Sequence, residues 1–236
     1  MFSCSMMIRS VVTLFLFLIL AVFTVTSTYA DALSEEELED WFNDDSEPSI
    51  DDVNEGQLTF ISPLADKNIL SSDAVMTITD FSLKTGMVSL QQCYRNLDPV
   101  AEMEVVYSYK NMKQLRIVSV GNIADARVVG SSIQLRDVTA SAFVCVAAEV
   151  QLLESTAEDS YVLSYGPYYR RFLDGYYPYH VTVIIEYPVR QLRYADVSPS
   201  PRPLFELVKQ PGKLIMDTWF EGVLLVNITF SAIDSD

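Results

Sequence analysis

Histidine is almost absent from this 236-residue chain, which contains only His180. A zinc site built from histidines is therefore excluded, and any Ser–His or Cys–His catalytic arrangement would have to use this one side chain. His180 begins an alternating apolar pattern and lies on its polar face. We interpret it as a surface or hydrogen-bonded residue and expect no histidine-based catalysis.

Glycine-rich nucleotide loops and paired-cysteine metal motifs are also missing. The chain has neither a GxGxxG nor a Walker-type loop, and its three cysteines form no CxxC pair. Positive charge is scarce, because 16 Lys and Arg face 32 Asp and Glu, for a formal net charge of −16. Nucleic acid and anionic membranes repel a polyanion, so we expect neither as the main partner. We also expect no cofactor and no metal.

The first 30 residues have the order of a secretory signal peptide. Arg9 is their only charged residue, a continuous apolar run follows it, and small and polar residues lead to Ala30. We predict cleavage after Ala30 and export to the periplasm or the extracellular medium. The apolar run is short for a span of ~20 residues, and an uncleaved anchor is the alternative. We expect no membrane span after cleavage.

Residues 31–55 are strongly acidic. They hold twelve of the 32 acidic residues and no Lys or Arg. Because like charges at this density oppose compact packing, we predict a disordered tail. Within it, Ser34 and Glu37 form a capping-box pattern, which predicts a short helix near 34–42.

The rest of the chain alternates between apolar and polar residues, the pattern of strands with one buried face. In 102–109, for example, Met103, Val105, Tyr107 and Tyr109 share one face. Many short strands separated by turn residues predict an all-β, antiparallel, sandwich-like fold. Strands are predicted at 75–83, 87–93, 102–109, 114–120, 132–137, 142–152, 161–165, 180–187, 192–197, 204–209, 213–219 and 222–230.

The most polar stretch within the β region is 154–160, where we place a boundary. It separates a β-sandwich unit at 57–153 from a second β unit at 161–236, and one larger domain is the alternative. Cys93 and Cys145 both fall in the first unit. We predict a disulfide between them, because a cysteine pair in an exported β protein favours oxidation. If the first unit is a two-sheet sandwich of the immunoglobulin-like type, we expect this bond to join its two sheets. Two buried free thiols are the alternative.

Segment 165–179 contains six of the 13 tyrosines and two adjacent arginines. Pro167 and Gly175 predict a single helical turn over 168–174. Tyrosine and arginine are enriched in recognition surfaces, so this segment is the candidate binding site. The alternative is a connecting loop whose aromatics cap the sandwich and whose arginines pair with carboxylates. The predicted binding residues are Tyr168, Tyr169, Arg170, Arg171, Tyr176 and Tyr177.

These patterns favour a non-catalytic exported β protein that binds another protein or an envelope component. The alternative is a carbohydrate-binding or glycoside-hydrolysing protein, because tyrosines stack on sugar rings and paired carboxylates cleave glycosidic bonds. A purely structural envelope component is a third hypothesis. The arrangement of 165–179 distinguishes them: an exposed tyrosine face beside a carboxylate pair favours glycoside hydrolysis, and a flat or buried arrangement favours protein binding or a structural role.

Overall fold

A computed structural model describes residues 54–64, 69–156, 159–173 and 175–233. The predicted signal peptide, the helix near 34–42 and the acidic tail up to residue 53 lie outside these residues. Within the described part of the chain, no helix combines the length and the apolar character that crossing a membrane requires.

The described residues are almost entirely β-structure, which confirms the predicted all-β, antiparallel, sandwich-like fold. The larger sheet contains nine strands, β1 (Thr59–Phe60), β2 (Ser71–Thr77), β3 (Met87–Leu97), β4 (Val100–Val106), β5 (Met112–Val129), β6 (Ser132–Gln151), β11 (Tyr179–Glu186), β13 (Phe205–Gln210) and β14 (Lys213–Glu221). The smaller sheet contains four strands, β7 (Leu153–Thr156), β8 (Ser160–Tyr168), β12 (Leu192–Ser198) and β15 (Leu224–Ala232). A separate hairpin consists of β9 (Arg171–Phe172) and β10 (Gly175–Tyr176).

The strand order in the larger sheet is β1–β14–β11–β2–β3–β6–β4, with β13 also paired to β14 and β5 also paired to β6. Only β2 and β11 pair in parallel among the described strands, and Val75 lies beside Ile184 there. This pairing places strands from 57–153 and 161–236 in one sheet. Within the polar segment 154–160, the end of β7 pairs with the start of β8, with Thr156 opposite Ser160.

The two sheets pack face to face around a shared hydrophobic core. Alternate residues of β11 face this core from the larger sheet, and alternate residues of β15 face it from the smaller sheet. Burial of each large aliphatic or aromatic side chain stabilises the fold by about 1.5–3 kcal/mol, so this interior supplies most of the driving force. Its fully buried members in these two strands include Val181, Val183, Ile185, Val226, Ile228 and Phe230.

A short helix, α1 (Asp80–Thr85), occupies part of the strand predicted at 75–83. The Thr79 hydroxyl accepts the Ser82 N–H, and the Ser82 hydroxyl accepts the Thr79 N–H at 2.9 Å. Gly86 ends the helix in the left-handed conformation, with φ 73°. The sequence pattern did not predict this helix, because its capping box has serine at the position where glutamate or glutamine is usual.

Strands β5 and β6 form a long ribbon that curls back on itself. At one end the Gln151 N–H donates to the Asn111 carbonyl oxygen, and at the other the Tyr107 N–H donates to the Ser131 carbonyl oxygen. The chain from Tyr107 to Asn111 can span at most ~14 Å. A straight strand from Ser131 to Gln151 would span ~66 Å, so β6 must bend strongly for both bonds to form.

The bend coincides with a shift in the β5–β6 register beside Gly121. Asn122 adopts a left-handed backbone there (φ 59°), which asparagine tolerates better than most residues. Its side-chain amide donates to the carbonyl oxygens of Ala140 and Ser141 at 3.1 and 3.3 Å. A Cβ on Gly121 would lie 2.2 Å from the Phe143 ring, so this close approach requires glycine.

Cys93 of β3 and Cys145 of β6 form the predicted disulfide. They lie opposite each other on neighbouring strands, with Cα atoms 4.0 Å apart. The disulfide therefore joins two strands of one sheet, and the expectation that it joins two sheets is wrong. Strand pairing itself brings the two cysteines together, two residues away from Phe143 and close to the bend.

Replacing Cys93 and Cys145 together by alanine is expected to lower the free energy of unfolding by about 4 kcal/mol, because the bond closes a long loop in the unfolded chain. Urea denaturation measures the change, and peptide mapping without reductant checks the pairing. Each single variant breaks the same bond and should lose a similar amount. Recovery of both residues as free thiols from unreduced protein would contradict the pairing.

Candidate functional site

Residues 169–173 and 175–177 form a hairpin, called here the aromatic hairpin, where we predicted a helical turn. Its strands β9 and β10 pair antiparallel, and the Tyr177 N–H donates to the Arg170 carbonyl oxygen at 2.8 Å. Pro167 belongs to the end of β8, and Gly175 begins the returning strand with φ 136°. The helical prediction was wrong because these two residues serve a strand end and a hairpin instead of helix ends.

Arg170 holds the base of the aromatic hairpin. Its Nη2 donates to Asp98 Oδ1 at 2.6 Å, and its guanidinium lies 5.2 Å from the Phe172 ring centre and 5.7 Å from that of Tyr177. The Arg170 side chain is only 18% exposed, so the ion pair and both ring contacts are partly shielded from water. Arg170 therefore matches the alternative in which an arginine of this segment pairs with a carboxylate.

The outer surface of the aromatic hairpin is open to solvent. Arg171 is exposed and lies over the Tyr176 ring, 5.5 Å from its centre. Tyr169 and Phe172 are about half exposed, and Leu173 is fully exposed. The Tyr176 N–H donates to the carbonyl oxygen of Asn54, so the start of the described chain lies against this hairpin.

Beside the aromatic hairpin lies a cavity of about 460 Å³, called here the tyrosine cavity. The curled part of the larger sheet forms one side through residues 103–109, and the sandwich forms another through β3, β8 and β11. The apolar face predicted for 102–109 lines it together with aromatic residues from the distant strands. Its tyrosines are Tyr94, Tyr107, Tyr109, Tyr168, Tyr169 and Tyr179.

The six predicted binding residues occupy two different surfaces. Tyr168 is 6% exposed and lines the tyrosine cavity, which Tyr169 also lines with a half-exposed ring. The other four residues belong to the aromatic hairpin. Sequence reasoning missed Tyr94 and Tyr179 as cavity residues, because strands far apart in the sequence bring them to Tyr168.

The polar groups of the tyrosine cavity include a buried amide. Gln92 is 1% exposed, and its Nε2 donates to Ser72 Oγ at 2.8 Å and to Tyr168 Oη at 3.3 Å. Its Oε1 has no hydrogen-bond partner among the described residues. Tyr107 Oη also lacks a hydrogen bond of good geometry, although the Tyr94 hydroxyl is close enough to influence its pKa. A buried polar atom without a partner costs about 1–3 kcal/mol.

Burial raises the pKa of Tyr94, Tyr107, Tyr109, Tyr168 and Tyr179, because a phenolate is poorly solvated away from water. The pKa of Tyr109 rises to about 12, and that of Tyr168 rises well above 10.0 through burial first and neighbouring tyrosine hydroxyls second. The pKa of Tyr94 is raised for the same two reasons. These side chains therefore present neutral rings and hydroxyls at physiological pH.

Two carboxylates lie at the tyrosine cavity. Asp98 accepts the hydrogen bond from Arg170, and Glu104 accepts one from the Ser132 hydroxyl. Among the described residues that line the cavity there is no lysine, arginine or histidine. This described lining is therefore neutral or negative.

His180 lies elsewhere, on the larger sheet. Its Nε2 is 3.0 Å from Asp217 Oδ1, and its ring stacks on Trp219 with the centres 4.4 Å apart. These contacts confirm the interpretation of His180 as a hydrogen-bonded residue.

Comparison of this chain with models of known protein families and with curated proteins gives no match. We therefore infer function from the geometry of the aromatic hairpin and the tyrosine cavity.

Replacing Arg170 by alanine is expected to lower the free energy of unfolding by about 1–3 kcal/mol, between the values for exposed and buried ion pairs, because it leaves Asp98 without its partner. Arg171→Ala is the matched control, since its side chain is exposed, and should change stability by less than about 0.5 kcal/mol. Urea denaturation measures both. Equal effects of the two substitutions would contradict the assigned role of Arg170.

The buried tyrosines are expected to destabilise the fold in alkali. An unfolded chain ionises its tyrosines near pH 10, whereas the raised pKa values keep Tyr94, Tyr165 and Tyr168 protonated in the fold. Stability should therefore be constant below about pH 9 and fall as the pH rises from about 10 to 12. Urea denaturation against pH measures this, and Tyr168→Phe should reduce the slope by up to about 1.4 kcal/mol per pH unit. An unfolding free energy that stays constant to pH 12 would disprove the assignment.

Proposed function

We propose that this chain is an exported, non-catalytic module that binds another protein or an envelope component through the aromatic hairpin. The observation that carries this proposal is the outward exposure of Phe172 and Leu173 beside Arg171, on a hairpin whose base is held by Arg170. Aromatic residues and arginine are the types that contribute most to binding at protein interfaces.

A fixed hairpin supports this function because ordering a flexible loop costs free energy on binding. The ion pair between Arg170 and Asp98 and the hydrogen bond between Tyr177 and Arg170 restrain both strands before any partner arrives. Restraint of this kind leaves more of the contact free energy for affinity. Arg171 adds a cation at the surface of an acidic protein, which suits a partner that offers a carboxylate beside an apolar pocket.

Export has support from the disulfide between Cys93 and Cys145, because such bonds persist mainly in oxidising compartments. Glycoside hydrolysis has less support. Tyr168 and Tyr179 are buried, and Asp98 beside them is held by Arg170. By the criterion stated for segment 165–179, burial of Tyr168 and Tyr179 favours protein binding or a structural role over glycoside hydrolysis.

A photo-crosslinking amino acid at Leu173 is expected to capture a discrete partner from the native extracellular or envelope fraction. The same amino acid at Phe81, which is also exposed but lies on α1, is the matched control and should not capture it. Mass spectrometry identifies the products. Arg171→Ala combined with Phe172→Ala should weaken capture about tenfold or more without unfolding the protein, because both side chains contribute to the surface. Equal capture at both positions, or unchanged capture by the double variant, would refute the proposal.

A further inference from the structure

From the tyrosine cavity we infer a second binding site, for an organic ammonium cation that carries an O–H or N–H donor. The cavity shares Tyr169 and Asp98 with the surroundings of the aromatic hairpin, but Arg171, Phe172 and Leu173 do not line it. This site can therefore exist whether or not those three residues bind a partner. The cavity volume of about 460 Å³ falls within the range of small-molecule sites. It is large enough to hold a substituted ammonium group with part of its aliphatic chain.

The aromatic walls are the first feature that favours a cation. The rings of Tyr107 and Tyr109 lie nearly parallel, with centres 6.1 Å apart, and those of Tyr168 and Tyr179 meet edge to face at 6.1 Å. The face of an aromatic ring is electrostatically negative and attracts cations within about 6 Å, most strongly where water is excluded. Two such pairs from separate parts of the chain give the cavity several possible cation contacts.

The second feature is a set of hydrogen-bond acceptors in the cavity walls, which favours a ligand that carries a donor group. The Gln92 amide nitrogen is occupied by Ser72 and Tyr168, whereas Gln92 Oε1 has no donor among the described residues. Tyr107 Oη can accept a hydrogen bond as well. A bound molecule with a donor group would satisfy a buried acceptor that the fold leaves without a partner.

The charges around the tyrosine cavity select against anions. Asp98 and Glu104 are among its lining residues, and no cationic side chain is, within the part of the chain that the structure describes. The charge of Asp98 is offset by Arg170 at 2.6 Å. Glu104 alternates with Met103 and Val105 along β4, so its charge acts on the cavity from the other face of the strand. An anionic ligand would meet no cationic partner among the described lining residues, whereas the ring faces and these carboxylates favour an ammonium group.

Choline and 3,3-dimethyl-1-butanol provide a direct test, because they have nearly the same shape and hydroxyl and differ in charge. Calorimetric titration of the full folded protein should show choline binding at least tenfold more tightly than the neutral alcohol. Methyl glucoside serves as the carbohydrate probe and should not compete with choline. Equal affinity of choline and the alcohol, no choline binding, or displacement of choline by methyl glucoside would overturn the proposal.

Variants place the binding within the tyrosine cavity. Tyr109→Leu keeps an apolar side chain but removes an aromatic face, and should weaken choline binding about tenfold while changing the binding of the alcohol little. Glu104→Gln keeps an acceptor for the Ser132 hydroxyl and removes one negative charge near the cavity, so it should weaken choline binding severalfold at low salt only. Phe81→Leu is the control, because Phe81 is exposed on α1 and does not line the cavity, and it should leave choline binding unchanged. Loss of binding in Phe81→Leu but not in the two cavity variants would refute this site.

Discussion

The curl of the β5–β6 ribbon is the constraint on which the rest of the molecule depends. Two backbone hydrogen bonds, from Tyr107 to Ser131 and from Gln151 to Asn111, connect the ends of a strand that would otherwise be far too long for the chain between them. The bend that makes them possible combines Asn122 in a left-handed conformation with a glycine under the ring of Phe143. Without this bend, residues 103–109 would not face the sandwich, and the tyrosine cavity would have no second side.

The ion pair between Arg170 and Asp98 connects the curl to the aromatic hairpin. Asp98 lies between β3 and β4, close to the register shift of the larger sheet, and Arg170 begins the hairpin after β8 of the smaller sheet. The same contact therefore holds the hairpin in place and neutralises a carboxylate at the tyrosine cavity. The two candidate binding surfaces therefore share this ion pair.

Much of the fold could be predicted from local patterns because alternation depends only on neighbouring residues. The predicted strand at 180–187 corresponds to β11, and that at 213–219 corresponds to β14. By contrast, β6 was predicted as two strands, 132–137 and 142–152. Asp137 and Ser141 have left-handed backbones there, which interrupts the alternation of an otherwise continuous strand.

The candidate site was predictable only in part, for a related reason. Tyrosine and arginine enrichment identified 165–179, but composition does not reveal that Tyr168 turns inward and Arg171 outward. Nor does it show that Tyr94 and Tyr179 approach Tyr168, since this proximity depends on the order of strands in the sheet. That order follows from long-range pairing, including the parallel contact between β2 and β11, for which no local residue pattern exists.

The interrupted register of β5 has a consequence for self-association. Among the described strands β5 pairs only with β6, so its outer edge presents backbone donors and acceptors that another copy could use to extend the sheet. Three register shifts divide this edge, and the longest regular run is the seven residues Ile123–Val129. An incoming straight strand can match only short portions of a kinked template. The irregularities that shape the cavity thereby also protect a long exposed edge from open-ended aggregation at high protein concentration.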